Sequence, residues 1–363
     1  LRSRKEELAL LMALEMGKPL AQGEAEIEKC ARACEFYAAH AARLLAPEPC
    51  ATEALRSYVR FDPLGPLLAI MPWNFPFWQV FRFAAPALVA GNVVLLKHAP
   101  NVSRCALAIE EVLRAAGAPA GVFRTLLIDT AAVPALIADP RLRAVTLTGS
   151  PRAGSQVAEQ AGRALKKIVL ELGGSDPFIV CADADLAEAA RVGANARLVN
   201  AGQSCIAAKR FIVAGAVLER FLALLVGEMV SRRVGDPLVP GTEVGPQARH
   251  DLRATLHRQV EESVGRGARL LLGGVVPAGP GAFYPPTVLA AVEAGMPAFD
   301  EETFGPVAAV VRADDEDDAL RLANASAFGL GASIWTADRE RAERLAAELE
   351  AGSVFVNGQV HSD

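Results

Sequence analysis

The 363-residue chain is poor in the side chains that staple small folds or hold metals, with six cysteines and five histidines. The cysteines (Cys30, Cys34, Cys50, Cys105, Cys181, Cys205) form no CxxC pair, and the histidines (His40, His98, His250, His257, His361) are dispersed. Reduced thiols are therefore expected rather than a disulfide framework, and no metal site is expected. Basic residues show no excess either. A net charge of −5, a pI near 5.7 and scattered Lys and Arg argue against a nucleic-acid partner. Long apolar runs are also missing. The richest stretch, Leu67 to Leu96, is broken by Pro72, Asn74, Pro76, Arg82, Pro86 and Asn92, short of the ~20 uninterrupted residues a spanning helix needs, so no membrane partner is expected. There is no tandem repeat or low-complexity segment, and no signal peptide is read in these 363 residues. The first residue, Leu1, lies inside a helical pattern (Leu8, Leu11, Leu14), so the true N-terminus is expected upstream and targeting is not legible here.

What the chain has is ordinary globular material. It is 52% hydrophobic and 22% charged, with mean hydropathy +0.25, enough to build two core-bearing lobes. Residues 5–17 and 21–45 read as helices, separated by Met16-Gly17-Lys18-Pro19. Residues 54–61 alternate like a strand and are expected to form a projecting hairpin with the segment before them. From Leu67 short apolar strands (67–71, 93–97, 123–127, 144–148, 168–172) alternate with helical runs (76–90, 102–117, 131–138, 151–164). That interval predicts parallel βαβ units in an open, doubly wound sheet. After Leu172-Gly173-Gly174-Ser175, a hinge candidate, the alternation restarts. Strands near 177–181, 209–214, 268–272, 306–311, 331–335 and 353–357 alternate with helices near 185–199, 216–231, 252–266, 315–327 and 338–350, giving a second α/β lobe. The acidic run Asp314–Asp318 reads as a helix start, and Phe328-Gly329-Leu330-Gly331 as a turn.

Four stretches carry candidate chemistry. Asn200-Ala201-Gly202-Gln203-Ser204-Cys205 places a cysteine in a polar loop between a helix and a strand. A thiol becomes a good nucleophile where positive charge or helix N-terminal amides favour the thiolate, and a loop next to a helix start can supply such amides. Glu171 ends a strand just before the double glycine; a carboxylate there meets a cleft or a partner and can act as general base on water. Met71-Pro72-Trp73-Asn74-Phe75-Pro76 holds an asparagine between fixed turns, able to present its amide to an oxyanion. Thr148-Gly149-Ser150-Pro151 follows a strand and opens a helix, which suits either a phosphate or an N-cap with proline at the first helical position. Glu302, in Glu301-Glu302-Thr303-Phe304-Gly305-Pro306, is either a site carboxylate beside an aromatic ring or an exposed loop carboxylate.

Together these residues closely resemble the NAD(P)-dependent aldehyde dehydrogenases. The likeness runs through nearly the whole chain, from Met16-Gly17-Lys18-Pro19 through PWNFP, LLKHAPN, TGS, LELGG, GQSC and EETFGPV to Phe355-Val356-Asn357-Gly358. It implies two doubly wound α/β lobes, truncated at both ends: a Rossmann-like cofactor domain over 1–44 and 62–172, an oligomerisation hairpin over 45–61, and a catalytic domain over 173–363. It implies Cys205 as nucleophile, Glu171 as general base and Asn74 as oxyanion donor together with the Cys205 amide. It further implies that Trp73, Lys97, Gly149, Ser150, Glu302 and Phe304 contact NAD or NADP. Leu96-Lys97-His98-Ala99-Pro100-Asn101 and Gly173-Gly174-Ser175-Asp176-Pro177-Phe178 are most similar to the bacterial succinate-semialdehyde dehydrogenase branch. Arg82 resembles the arginine that such enzymes set against the substrate's distal carboxylate. Two positions depart from that pattern: Val199 stands where other members carry a second arginine, and Pro100 where many NAD-selective members carry a glutamate. The family's C-terminal FGGxKxSGxGRE segment does not follow Asp363, so a fragment with exposed edges, lower stability and impaired assembly is expected. The resemblance also implies a cytoplasmic homodimer or homotetramer when full length. Broad aliphatic or aromatic aldehyde oxidation, and a non-catalytic binding or structural role on the same fold, are the alternatives.

Overall fold

The computed structural model describes residues 1–362. The chain divides into two compact units, the first Leu1–Met16 with Leu20–Leu172, the second Gly17–Pro19 with Gly173–Asp363. Gly17–Pro19, read from the sequence as part of the first lobe, group with the second. There Lys18 is buried and Gly17 lies against Pro246.

The first unit contains α1 (Lys5–Met16), α2 (Leu20–Leu44), β1 (Glu48–Pro49), β2 (Tyr58–Val59), β3 (Pro66–Met71), α3 (Trp78–Val89), β4 (Val93–His98), α4 (Ser103–Ala115), β5 (Phe123–Thr125), α5 (Val133–Ala138), β6 (Ala144–Thr148), α6 (Pro151–Arg163) and β7 (Lys167–Glu171). Its main sheet is parallel throughout, in the order β5-β4-β3-β6-β7. The chain winds outward from β3 through β4 to β5, then returns to lay β6 and β7 on the other side. The order therefore reverses between β3 and β6, the position where open α/β sheets receive ligands beyond the strand C-termini. Alternation sets the faces: Leu68, Val145 and Leu147 pack with Val133 and Ile137 of α5 and Val157 and Ala161 of α6. The strand expected over 54–61 shrinks to Tyr58–Val59, paired antiparallel with Glu48–Pro49. Residues 46–56 and 58–64 are all exposed, so no core face fixes a longer register.

The second unit contains β8 (Asp176–Val180), α7 (Leu186–Leu198), β9 (Ala208–Ala214), α8 (Leu218–Val230), α9 (His250–Gly265), β10 (Arg269–Leu272), β11 (Thr287–Ala290), α10 (Pro297–Asp300), β12 (Val307–Ala313), α11 (Glu316–Asn324), β13 (Gly331–Trp335), α12 (Arg339–Glu348) and β14 (Ser353–Val356). The sheet order is β10-β11-β12-β9-β8-β13-β14, parallel except for β10. Successive residues feed opposite cores. Phe178, Val180, Phe211 and Val213 meet α7 and α8, while Ile179, Ile212, Val307 and Ile334 meet α9, α11 and α12. Both faces are covered, which is why these strands read as continuous apolar runs. Asp315 caps α11 by accepting from the Asp318 N–H, in line with the acidic run read as a helix start.

Candidate active site

In the first unit the sequence-predicted residues collect at the C-terminal ends of the strands. Trp73 and Asn74 follow β3, Lys97 is the second-last residue of β4, Gly149 and Ser150 follow β6, and Glu171 ends β7. Two buried side chains hold the Asn74 turn. Glu26 of α2 accepts from the Phe77 and Trp78 N–H groups, both at 2.9 Å, and so caps the start of α3. His98 accepts at Nδ1 from the Ala99 N–H (2.9 Å), which leaves Nε2 protonated to donate to the Pro76 carbonyl (2.9 Å). Burial, opposed by its backbone hydrogen bonds, pushes the His98 pKa down to about 4, so the ring is neutral at pH 7. Asn74 itself is 4% exposed.

Ser150 takes the N-cap reading: its side chain accepts from the Ala153 N–H at 3.3 Å, with Pro151 at the first helical position of α6. The Gly149 N–H donates to the Glu171 carbonyl at 2.9 Å, tying the ends of β6 and β7 together. Gly154, one turn into α6, lets that helix approach, since a Cβ there would meet the Leu172 side chain at 2.5 Å. Lys97 is buried, and desolvation lowers its pKa against the pull of Asp129. A buried ammonium, the first turn of α6 and the crevice at the sheet reversal form a donor set that fits a dinucleotide diphosphate.

Arg82, on α3, is brought to Glu171. Its Nη1 is 3.8 Å from Glu171 Oε2 and its Nη2 is 3.4 Å from Thr148 Oγ1. Both residues line a cavity of about 350 Å³ with Met71, Gln79, Thr146 and Thr148. The Gln79 Oε1 in that lining is buried without a hydrogen-bond partner.

In the second unit the predicted residues gather at the opposite pole, at the N-terminal ends of the strands. Cys205 precedes β9 and Glu302 and Phe304 precede β12, while Gly174 precedes β8. No helix starts at the Cys205 loop. Its loop leaves the C-terminus of α7 and runs into β9, so neither flanking element brings a helix N-terminus to the thiol. Asn200, Ala201 and Gly202 instead form a left-handed turn with φ of 53°, 52° and 76°. For Ala201 that costs ~1–2 kcal/mol, and the surroundings hold it. Asn200 Nδ2 donates to the Gln203 carbonyl (3.2 Å), Gln203 Nε2 to the Asn200 carbonyl (3.0 Å) and Gln247 Nε2 to the Ala201 carbonyl (3.1 Å). Gly202 leaves no room for a Cβ, which would collide with the Gly305–Pro306 backbone. Cys205 itself is partly exposed and in no disulfide, whereas Cys30, Cys105 and Cys181 are buried.

Sequence reading missed the buried charges beneath this loop. Lys209 Nζ donates to the carbonyls of Ser204, Cys205 and Ala207 and lies 3.9 Å from Glu302 Oε1. Glu302 Oε1 accepts from the Gly174 N–H at 3.1 Å, so Glu302 is a held carboxylate rather than a loose loop charge. Arg197 Nη2 donates to the Gly202 carbonyl at 2.6 Å; burial pushes its pKa down to about 9, which leaves it charged. Burial likewise pushes the Asp176 carboxyl up to about 7, against the pull of Lys209. The available signal was Lys209-Arg210 inside an apolar strand, where two charges require partners. Among the described residues no group of three or more His, Cys, Asp or Glu could hold a metal, and no helix is long and apolar enough to cross a membrane.

Two doubly wound units, one carrying Glu171 beside a crevice suited to an anion and the other Cys205 on a held turn, fit the class of oxidoreductases that work through a thiol nucleophile. A family model described as "Aldehyde dehydrogenase family" matches residues 1–363, and the chain belongs to that family. It is 51% identical over 363 residues to the succinate semialdehyde dehydrogenase [NAD(P)+] Sad of Escherichia coli strain K12, covering 100% of this chain and 79% of the relative. It is 49% identical over 365 residues to a succinate-semialdehyde dehydrogenase [NADP(+)] of Mycobacterium avium, covering 100% of this chain and 77% of that one. The crystal structure of a succinic semialdehyde dehydrogenase from Streptococcus pyogenes in complex with NADP+ superposes with TM-score 0.97 at 37% identity, over 99% of this chain and 79% of that one.

Proposed function

We propose that this protein oxidises succinate semialdehyde to succinate with NADP or NAD. The observation that carries the reading is the Arg82 guanidinium lining the same cavity as Glu171. A half-exposed ion pair at 3.8 Å contributes little to stability, so Arg82 can exchange it for the distal carboxylate of a substrate. The relatives named above support the same substrate by their names.

The Cys205 thiolate attacks the aldehyde carbon to form a thiohemiacetal, its oxyanion met by the Asn74 amide and the Cys205 N–H. The nicotinamide cofactor, when bound, supplies the hydride acceptor. Loss of hydride leaves a thioester on Cys205. Glu171 takes a proton from water, the resulting hydroxide adds to the thioester carbon, and the C–S bond breaks to release the acid and the thiolate. Lys97, Gly149, Ser150 and Trp73 would hold the cofactor, Glu302 its nicotinamide ribose, and Phe304 would flank its ring. Pro100 brings no carboxylate against a 2′-phosphate, which supports tolerance of NADP. On this reading 1–44 with 62–172 is the cofactor domain and 173–363 the catalytic domain.

Val199, an apolar and partly exposed residue at the end of α7, favours a second reading of broader aliphatic or aromatic aldehyde oxidation. Rates of NAD(P)H formation with succinate semialdehyde and butanal separate the two. Preference for the acid aldehyde, lost with Cys205→Ala, supports the first; equal use of both supports the second. No Cys205-dependent signal with either aldehyde would leave a binding role. We further read the protein as a cytoplasmic homodimer or homotetramer assembled through the 45–61 hairpin, which exposes Leu55, Tyr58, Val59 and Phe61. Light scattering of the purified protein tests that assembly.

A further inference from the structure

We propose that Lys209 is a positioning residue for the Cys205 nucleophile, gathering the carbonyls of its loop around one buried ammonium and placing a positive charge beneath the thiol. The inference rests on the reading of Cys205 as nucleophile. Lys209 Nζ donates to the carbonyls of Cys205 (2.8 Å), Ser204 (3.0 Å) and Ala207 (3.3 Å). The next charge is Glu302 Oε1 at 3.9 Å. Every neighbour in this set is an acceptor. A neutral amine would turn its lone pair on one of these oxygens, whereas an ammonium has three donors and no acceptor, so the cage selects the charged form against the burial that opposes it.

The adjacent cation has a separate task. Arg210 donates to the carbonyls of Ser175 (3.0 Å), Leu322 (2.7 Å) and Ala323 (2.9 Å), closing the end of α11. Consecutive strand residues point to opposite faces, which divides the two charges. Lys209 shares its surroundings with Glu302, Asp176, Arg197 and Cys205, each of which acts on it through space. With no helix N-terminus at this loop, Lys209 is the cation bonded to the nucleophile's own backbone, and it meets the requirement that positive charge favour a thiolate.

The test is the pH dependence of Cys205 alkylation by iodoacetamide in the purified protein, followed by mass spectrometry of the Cys205 peptide. The wild-type midpoint is expected below the ~8.5 of an ordinary thiol. Lys209→Met, close in volume, is expected to raise it by about one unit. Its kcat should fall about 100-fold while KM for the aldehyde changes less than about threefold. Lys209→Gln keeps two donors without the charge and should show the same upward shift in the folded protein. A wild-type midpoint at or above ~8.5 overturns the proposal, a result that needs no variant. So does an unmoved midpoint in either folded variant. Failure of the underlying reading is visible separately, as aldehyde oxidation that survives Cys205→Ala.

Discussion

The two units use the same architecture from opposite ends. In the first, Asn74, Gly149 and Glu171 stand at the C-terminal edge of a parallel sheet, beside the reversal between β3 and β6. In the second, Cys205 and Glu302 stand at the N-terminal edge of the larger sheet. The C-terminal edge comes with helix N-termini that attract anions. The N-terminal edge lacks them, and there buried side chains supply the charge: Lys209, Arg197 and Asp176 lie under the loop. The Asn74 turn of the first unit is therefore held by a carboxylate cap and a neutral imidazole, the Cys205 loop of the second by a cluster of ions taken out of water. Such ions need partners on every side, and removing one leaves the others uncompensated.

Breaking each unit in turn gives graded outcomes. The largest falls on Glu171→Gln, which removes the proposed base and keeps the shape. A stoichiometric burst of NAD(P)H followed by a kcat lower by about 10³-fold, or about 4 kcal/mol, is expected as the thioester accumulates. Absence of a burst with unchanged turnover would move the base elsewhere.

Next comes the neutral His98 clamp. Its folded pKa of about 4 lies below the unfolded value near 6.5, so the unfolded state binds the extra proton between them. The contribution is fully present above pH ~6.5 and is lost as pH falls toward 4, about 3 kcal/mol in all. His98→Gln keeps a donor and an acceptor but does not titrate. Denaturant melts at pH 7 and pH 5 should show wild type losing about 2 kcal/mol more than the variant; parallel losses would mean that the ring is already charged.

Arg82→Ala is expected to raise KM for succinate semialdehyde about 10- to 100-fold and to change that for butanal by less than about threefold, since only the acid aldehyde loses a charge-assisted contact. Equal changes would reassign Arg82 to holding Glu171. The smallest effect belongs to Ser150→Ala, about 1 kcal/mol in a urea melt, the ordinary cost of an N-cap. A KM for NADP that rises while stability stays put would make Ser150 a cofactor contact first and a cap second.

Much of this was legible in the sequence for a physical reason. β3, β4, β6, β9 and β13 are short apolar runs, and α4, α6, α7 and α8 carry helical patterning bounded by Gly, Pro or cap residues, so their patterns are local. β11 and α10 escaped. Thr287–Ala290 is four residues behind Pro285-Pro286, and Pro297–Asp300 is a single turn, both too short for periodicity to register. The residues over 54–61 alternate, yet they pack against no described core, so most of that strand does not form.

The sequence by itself determined most of the longer elements, the motifs they bear and the family to which they belong, because propensity, periodicity and motif spacing are properties of neighbouring residues. Only the tertiary structure decided which edge of each sheet carries the site, since strand order joins segments far apart in the chain. It also decided that Lys209, which reads as one more charge in a strand, sits buried among three carbonyls and a carboxylate: burial and partner geometry are set by residues up to 93 positions away, as Glu302 is from Lys209.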